Sequence, residues 1–141
     1  MKSFEKKVLD FCIKNKHRVT KSRLNVLKIV SSSKRPIKAY DILSELSKLV
    51  KNPKPPTVYR AIDFWRGINF IHKIESLNAY TICESDKPHK GTQFMICNDC
   101  GAVTESHFGK LPSIFKKTLQ ENMFEQKSWS IEITGICRKC L

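Results

Sequence analysis

The first part of the chain alternates apolar and polar positions at the period of an α-helix. Val8 and Cys12 follow Phe4 at intervals of four residues, and Phe11 lies on the same face. A first helix is therefore predicted, in which Cys12 serves as a small buried apolar side chain. Thr20 can cap a second helix, which ends among the serines of residues 31–33. The apolar positions of this second helix are Leu24, Leu27 and Val30.

A third and a fourth helix follow, separated by a segment rich in proline. The third is predicted from about Ala39, and its inward positions are Ile42, Leu43, Leu46, Leu49 and Val50. Because the prolines of residues 51–56 cannot lie inside a helix, the fourth is predicted to begin at about Thr57 and to end near Gly67. Its apolar stripe is Val58, Ala61, Ile62 and Trp65, and its polar side is Tyr59, Arg60, Asp63 and Arg66.

The alternation changes to the period of a β-strand after the fourth helix. Residues 70–83 are typical of a β-hairpin with a turn through residues 76–78. Three helices, a short amphipathic fourth helix and a hairpin predict a winged helix-turn-helix DNA-binding domain over residues 1–83. The polar stretch 84–91, which contains proline and glycine, is expected to be a hinge between domains.

Residues 92–141 predict a small α+β dimerisation domain. Strands are expected at residues 93–96 and 102–108, then a helix opened by Pro112 and Ser113, then a strand. The apolar face of the helix is Leu111, Ile114, Phe115, Thr118 and Leu119, and the last strand turns Trp129, Ile131 and Ile133 inward. About 50 residues make a poor core alone. A metal and a partner subunit are therefore expected to supply stability.

Composition and charge restrict the class of protein. With 141 residues, 40% hydrophobic, the chain suits one or two globular units and is not collagen-like, low-complexity or wholly disordered. It contains no apolar run near the ~18 to 20 residues of a membrane-spanning helix and no pattern of an export signal, so a cytoplasmic protein is expected. Residues 1–60 hold 16 Lys and Arg against 4 Asp and Glu, whereas residues 61–141 hold 10 against 9. This local excess favours a nucleic-acid partner, with an acidic membrane surface as the alternative.

Two Cys-x-x-Cys pairs near the C-terminus predict a structural zinc site. The pairs are Cys97 with Cys100 and Cys137 with Cys140, and four thiolates complete a tetrahedral zinc shell. The interval between the pairs exceeds the ~15 to 20 residues of a compact zinc ribbon, so the site is expected to join the start of the small domain to its end. Disulfides and a thioredoxin-like redox pair are the alternatives. A cytoplasmic chain keeps its thiols reduced, and the redox pair lacks its βαβ setting.

Four further residues carry metal-ligand atoms: His72, Cys83, His89 and Glu105. Their spacing alone is a weak signal, because isolated histidine, cysteine and glutamate residues occur by chance. Residues 54–64, 71–80 and 94–105 resemble the ferric uptake regulator family and, within it, the zinc uptake regulator branch. The match runs from Arg18 to Cys140, and its most specific parts are Thr57-Val58-Tyr59-Arg60 and the two cysteine pairs.

The resemblance assigns the metal ligands. It implies that His72, Cys83, His89 and Glu105 form a regulatory zinc site and that the four paired cysteines form the structural site, which gives about two zinc ions per chain. Because the hinge has one histidine where many relatives have several, Asp86 or His107 could replace His89. A mixed nitrogen, sulfur and oxygen set favours zinc over iron or manganese, and Cys83 is the discriminating ligand.

The resemblance also assigns the DNA contacts. It places the helix that begins near Thr57 in the major groove and implies these DNA-binding residues: Tyr40, Lys54, Thr57, Tyr59 and Arg60. Arginine can reach guanine O6 and N7 with two hydrogen bonds, which fits this role. Phosphate contacts are expected from Lys14, Lys16, Arg18, Lys21 and Arg23.

The implied function is a homodimeric, zinc-responsive repressor of zinc-uptake genes that binds a double-stranded DNA operator. Ligands from the wing, the hinge and the small domain would fix one relative orientation of the domains and match the recognition helices to half-sites about 34 Å apart. A regulator of the same fold that senses iron, manganese or peroxide is the alternative. An enzyme is disfavoured because no general base is identifiable. A nucleoid or RNA-binding protein would show neither zinc dependence nor operator preference.

Overall fold

The computed structural model describes residues 2–85, 89–106 and 110–141. They form two units, Met1–Cys83 and Glu84–Leu141, which we call unit 1 and unit 2. Within the described ranges, no helix is both long and apolar enough to cross a membrane. The architecture is α+β, with each unit built around its own small sheet.

Unit 1 is a winged helix-turn-helix, as the sequence predicts. Its elements are α1 (Lys2–Lys14), α2 (Lys21–Ser32), α3 (Ala39–Ser47), α4 (Pro55–Gly67), β1 (Ile71–Ile74) and β2 (Ala79–Ile82). The strands β1 and β2 pair antiparallel, and the turn between them contains Asn78 in the left-handed conformation, with φ 46°. An isolated antiparallel β-bridge between Ile37 and Tyr80 adds a short third segment to this sheet. The hairpin thus forms the wing of the helical layer.

The core of unit 1 is apolar and contains the stripes predicted for its helices. Trp65 of α4 is fully buried, and its indole Nε1 donates to the main-chain oxygen of Arg23 at 2.7 Å. The buried residues that surround it include Val8, Cys12, Val26, Leu27, Val30, Ile42, Leu46, Val58, Ala61, Ile62 and Ile71. The cap of α2 is also confirmed, because the Thr20 hydroxyl accepts from the main-chain N–H of Arg23 at 3.3 Å.

Two details of the predicted helices are wrong. The fourth helix begins at Pro55 instead of Thr57, because proline is tolerated in a first helical turn, where an N–H has no partner in the helix. Leu49, predicted to face inward, is 60% exposed. The reason is that α3 ends at Ser47, so residues 48–50 turn away from the helical register that the periodicity assumed.

Unit 2 has a three-stranded sheet and one helix. Its elements are β3 (Gly91–Cys97), β4 (Val103–Ser106), α5 (Ser113–Glu121) and β5 (Trp129–Gly135). The sheet order is β4-β3-β5, with β3 antiparallel to β4 and parallel to β5. The parallel register pairs Gly91 with Trp129 and Cys97 with Gly135. The ends of β3 and β5 that carry the cysteine pairs therefore lie side by side.

Much of the apolar surface of unit 2 is exposed. No residue of α5, a helix described in full, is buried, and Ile114 and Phe115 are among its exposed side chains. Ile133 was predicted to point inward from β5, and this is wrong, because its side chain is 48% exposed. Alternation along the strand therefore does not divide core from solvent in this unit.

Candidate metal centres and nucleic-acid surface

The two cysteine pairs meet at one edge of unit 2. Cys97 ends β3, and a turn that includes Gly101 at φ 71° brings Cys100 back beside it. The main-chain N–H of Asn98 donates to Gly135 O at 2.8 Å, which continues the β3–β5 pairing into the segment that carries Cys137. The parallel sheet therefore places the second pair next to the first.

Sulfur distances in this cluster fit zinc and not disulfides. The Sγ atoms of Cys100 and Cys137 are 3.7 Å apart, and those of Cys137 and Cys140 are 3.6 Å apart. Ligand atoms of all four cysteines lie within 4.8 Å of one another. Four sulfurs bound tetrahedrally at ~2.3 Å from zinc would be spaced by about 3.8 Å, whereas a disulfide bond is about 2.05 Å. None of the six cysteines, all of which lie in the described ranges, forms a disulfide bond.

Hydrogen bonds within the cluster shift the pKa values of Cys97 and Cys140 in opposite directions. Main-chain N–H groups of Cys100 and Cys137 lower the pKa of Cys97 to about 6, and the Cys137 N–H lies 3.3 Å from the Cys97 sulfur. Contacts with Cys137 and Cys100 raise the pKa of Cys140 to about 12. Four neighbouring thiolates repel one another without a cation, so the complete ligand set requires a metal ion.

The wing of unit 1 carries a pair of metal-ligand residues. His72 lies in β1 opposite Thr81, and Cys83 follows the end of β2. The main-chain N–H of Cys83 donates to Phe70 O at 2.9 Å, which extends the hairpin by one residue pair and fixes the buried thiol. A ring nitrogen of His72 and the Cys83 sulfur lie within 4.8 Å of each other. The hairpin register therefore brings an imidazole and a thiol together.

Unit 2 contributes a second pair. Glu105 lies in β4 opposite Phe94, and His89 lies just before β3. A carboxylate oxygen of Glu105 and a ring nitrogen of His89 lie within 4.8 Å of each other. Each unit thus presents two ligand atoms of the set implied by the resemblance. The two alternative ligands, Asp86 and His107, lie outside the described residues.

The exposed side of α4 has the composition of a DNA-reading surface. Lys54, Tyr59 and Arg60 are exposed, Thr57 is half-buried, and the opposite side of the helix is buried in the core. Tyr40 in the first turn of α3 is 80% exposed. An aromatic hydroxyl and a guanidinium on one exposed helix face can contact phosphates and base edges.

One residue of the predicted phosphate-binding set has a different environment. Lys14, Lys16, Arg18 and Lys21 are exposed, whereas Arg23 is half-buried with its guanidinium carbon 3.8 Å from the centroid of the Phe64 ring. This contact was missed from the sequence, since charge alone does not reveal that the side chain of Arg23 packs against an aromatic ring.

Comparisons with known proteins support this description. The sequence model of the Ferric uptake regulator family matches residues 14–134. The Zinc uptake regulation protein of Escherichia coli (strain K12) is 37% identical over 131 residues, which cover 92% of this chain and 77% of that protein. A structure of a zinc uptake regulator complexed with zinc and DNA has a TM-score of 0.92 at 34% identity, over 99% of this chain and 93% of that one.

A second solved structure, holo XcZur, has a TM-score of 0.86 at 32% identity and covers 99% of this chain and 98% of that one. The match with the family model includes the helix-turn-helix, the wing, the first cysteine pair and both ligand pairs. This chain therefore belongs to the ferric uptake regulator family.

Proposed function

We propose that the chain is a zinc-responsive DNA-binding repressor of zinc-uptake genes, which acts in the cytoplasm as a homodimer. The observation that carries this function is the His72–Cys83 pair on the wing, since it places metal ligands on the unit that has the DNA-reading helix. Relatives that are named for zinc uptake regulation, one of them complexed with zinc and DNA, support the same function.

DNA reading is assigned to the exposed side of α4. Arg60 reads a base and Tyr59 contacts a phosphate or a base edge, while Lys54, Thr57 and Tyr40 contact the backbone. The exposed cations before α2 and at its start add phosphate contacts, which position the unit on the duplex. This division gives α4 the sequence readout and the rest of unit 1 the general affinity.

Two zinc ions are assigned to each chain. The four paired cysteines hold the first, and their closed thiolate shell serves stability and leaves no position for a reacting water. His72, Cys83, His89 and Glu105 hold the second. Their nitrogen, sulfur and oxygen atoms suit zinc, and the Cys83 thiol must lose its proton to bind it.

The regulatory mechanism is a linkage between the second site and DNA. Because two ligands belong to unit 1 and two to unit 2, all four bind one ion only in a restricted arrangement of the units about the segment that joins Cys83 to β3. In the homodimer this arrangement sets the spacing of the two α4 helices to two half-sites. Zinc and operator then strengthen each other's binding, by ~1 to 3 kcal/mol for a typical allosteric coupling.

The homodimer is assigned to unit 2. Ile114, Phe115 and Ile133 are large apolar side chains that remain exposed in the single chain. Exposed apolar patches of this kind are typical of surfaces that bind another protein. A second copy of unit 2 would cover them and supply the core that this unit lacks.

The test is operator binding at fixed salt against buffered free Zn²⁺, Fe²⁺ and Mn²⁺. Cys83→Ser is expected to abolish zinc-dependent binding, while the chain stays dimeric and retains the zinc of the cysteine cluster. Cys12→Ala is the matched control, because Cys12 is the other cysteine outside the two Cys-x-x-Cys motifs and lies in the core of unit 1. A Cys83→Ser variant that responds normally to zinc would remove Cys83 from the sensor. A stronger response to iron or manganese would support the alternative specificity.

A further inference from the structure

Arg23 of α2 contacts two consecutive aromatic residues of α4. Its guanidinium carbon lies 3.8 Å from the Phe64 ring centroid, and its main-chain oxygen accepts from Trp65 Nε1 at 2.7 Å. The two aromatic rings also pack on each other, with centroids 4.9 Å apart and an interplanar angle of 70°. One residue of α2 thus holds α4 through both its side chain and its main chain.

The same residue also holds the segment that precedes α2. Arg23 Nη1 donates to the main-chain oxygen of Arg18 at 2.5 Å, and the Arg23 N–H donates to the Thr20 hydroxyl at 3.3 Å. His17 contributes from this segment too, because its ring meets the edge of Phe64 at a centroid distance of 5.9 Å. The basic segment before α2 (residues 15–20) and α4 therefore meet around the Phe64 ring, which contacts both the Arg23 guanidinium and His17.

These contacts bear on the DNA-reading side of α4. Phe64 lies one helical turn after Arg60, so the packing of Phe64 and Trp65 sets the rotation of α4 about its axis and with it the direction of Tyr59 and Arg60. Arginine suits this role better than lysine, because its planar guanidinium stacks on an aromatic face while its N–H groups still donate to a carbonyl oxygen.

We propose that Arg23 is a positioning residue, which orients α4 and the basic segment before α2 for DNA recognition and does not contact phosphate. The inference rests on the proposed DNA-binding function. If Arg23 positions α4, its loss lowers the discrimination between DNA sequences. If Arg23 binds phosphate, its loss lowers the salt dependence of the affinity.

The experiment uses the zinc-loaded full chain and a duplex that this chain selects from a random pool. Affinity for this duplex and for a scrambled duplex is measured between about 50 and 200 mM salt. Arg23→Gln removes the charge and the stacking, and Phe64→Leu removes the stacking but keeps the charge. Lys21→Gln is the matched control, because Lys21 is an exposed cation two residues away on the same helix.

Arg23→Gln is expected to reduce the ratio of the two affinities by about fivefold or more, the low end of what one lost base contact costs. The slope of log affinity against log salt is expected to stay unchanged. Phe64→Leu should reproduce the loss of discrimination, and Lys21→Gln should leave the ratio intact. A slope reduced by about 0.9 per chain in Arg23→Gln, with the ratio unchanged, would show a phosphate contact and overturn the inference.

The ratio of the affinities for the selected and the scrambled duplex distinguishes a folding defect from a loss of positioning. A smaller folded fraction lowers both apparent affinities by the same factor and leaves their ratio unmoved. The double variant Arg23→Gln/Phe64→Leu is expected to lose less discrimination than the product of the two single losses, because both changes break the same guanidinium–Phe64 contact. Two independent, multiplying losses would contradict the inference.

If the wild-type chain selects no duplex, the proposed function fails and the inference fails with it. If the wild-type chain selects a duplex and the variants keep the wild-type ratio of affinities, the inference alone fails.

Discussion

Unit 1 and unit 2 differ in what stabilises them. Unit 1 buries apolar stripes from all four of its helices around Trp65. Unit 2 has only a small buried set in its described residues, around Phe94, Ile96 and Cys97 of β3, and its helix α5, described in full, contributes no buried residue. The first unit thus has a conventional hydrophobic core, whereas the second has a four-cysteine cluster and an uncovered apolar surface.

The difference in stabilisation parallels a difference in chemistry. Residues 1–60 carry 16 of the 26 Lys and Arg residues, and unit 2 carries all four paired cysteines. A unit that is stabilised by its own hydrophobic core can carry charged and DNA-recognition side chains on its surface. In the proposed function, unit 2 gains its stability from metal and from association, so its folding and assembly would respond to zinc. Substitutions in the two units should therefore have different consequences for stability, metal content and association.

The largest effect is expected on breaking the cysteine cluster. Cys137→Ser removes one of four ligands, and structural zinc sites are worth roughly 10 to 16 kcal/mol apparent in small peptides, more than a typical domain stability of about 5 to 15 kcal/mol. Unit 2 should unfold while unit 1 stays folded. Hydrogen exchange read by mass spectrometry checks this, with protection lost in β3 and β5 and kept in α2 and α4. Equal loss of protection in both units would contradict the view that metal stabilises unit 2 alone.

A core substitution in unit 1 should lower the stability of unit 1 and leave the cysteine cluster of unit 2 intact. Ile62→Ala leaves a cavity at a fully buried position and is expected to cost about 2 to 5 kcal/mol of unfolding free energy. Urea unfolding of unit 1 measures the loss, and zinc in the cysteine cluster should be retained. Tyr59→Ala on the exposed side of α4 is the control, with a change within about 0.5 kcal/mol. A loss of cluster zinc in Ile62→Ala would mean that the two units share one stabilising core.

The close approach of β3 and β5 gives a third test. A Cβ at Gly91 would overlap the indole ring of Trp129, whereas no described atom lies within 4 Å of a Cβ at Gly135 in the same sheet. Gly91→Ala is therefore expected to destabilise zinc-loaded unit 2 by about 1 to 3 kcal/mol, and Gly135→Ala to be neutral. Thermal unfolding of the two variants compares them. Equal stability of both would show that Trp129 moves aside without cost.

The exposed apolar surface of unit 2 can be tested by adding charge. Ile133→Lys should raise the dimer dissociation constant by about tenfold or more, which corresponds to ~1.4 kcal/mol. Ile13→Lys, at a position of unit 1 that is 76% exposed, is the matched control and should leave association unchanged. Sedimentation over a range of concentrations measures both. Unaltered association of Ile133→Lys would place the interface elsewhere.

The smallest expected effect is a pH dependence in the core of unit 1. Burial raises the pKa of the Cys12 thiol, so this thiol stays protonated in the folded chain at pH values where it ionises in the unfolded chain. Above about pH 8.5, the unfolding free energy should fall as pH rises, by less than about 1.4 kcal/mol per pH unit. The measurement compares urea unfolding of wild type and Cys12→Ala from pH 8 to pH 10, since the variant lacks this contribution. Parallel curves would show that Cys12 does not titrate differently on folding.

The sequence predicted unit 1 more completely than unit 2. Helical periodicity identified the buried side of α4, and the two cysteine pairs identified the four-cysteine cluster, because the local spacing of residues indicates both. Leu49 and Ile133 were assigned to the interior wrongly, since periodicity shows neither where a helix ends nor whether an apolar face is left for a partner. The Arg23–Phe64 and Gly91–Trp129 contacts depend on tertiary packing between residues far apart in the chain, which no local pattern contains.

The most direct test of the proposed switch is operator affinity measured against the number of zinc ions bound per chain. With the cysteine cluster filled and the second site empty, we expect binding no tighter than to scrambled duplex, and high affinity should develop as the second zinc ion binds. Full operator affinity at one zinc ion per chain would contradict the account, because DNA recognition would then not require His72, Cys83, His89 and Glu105 to share an ion.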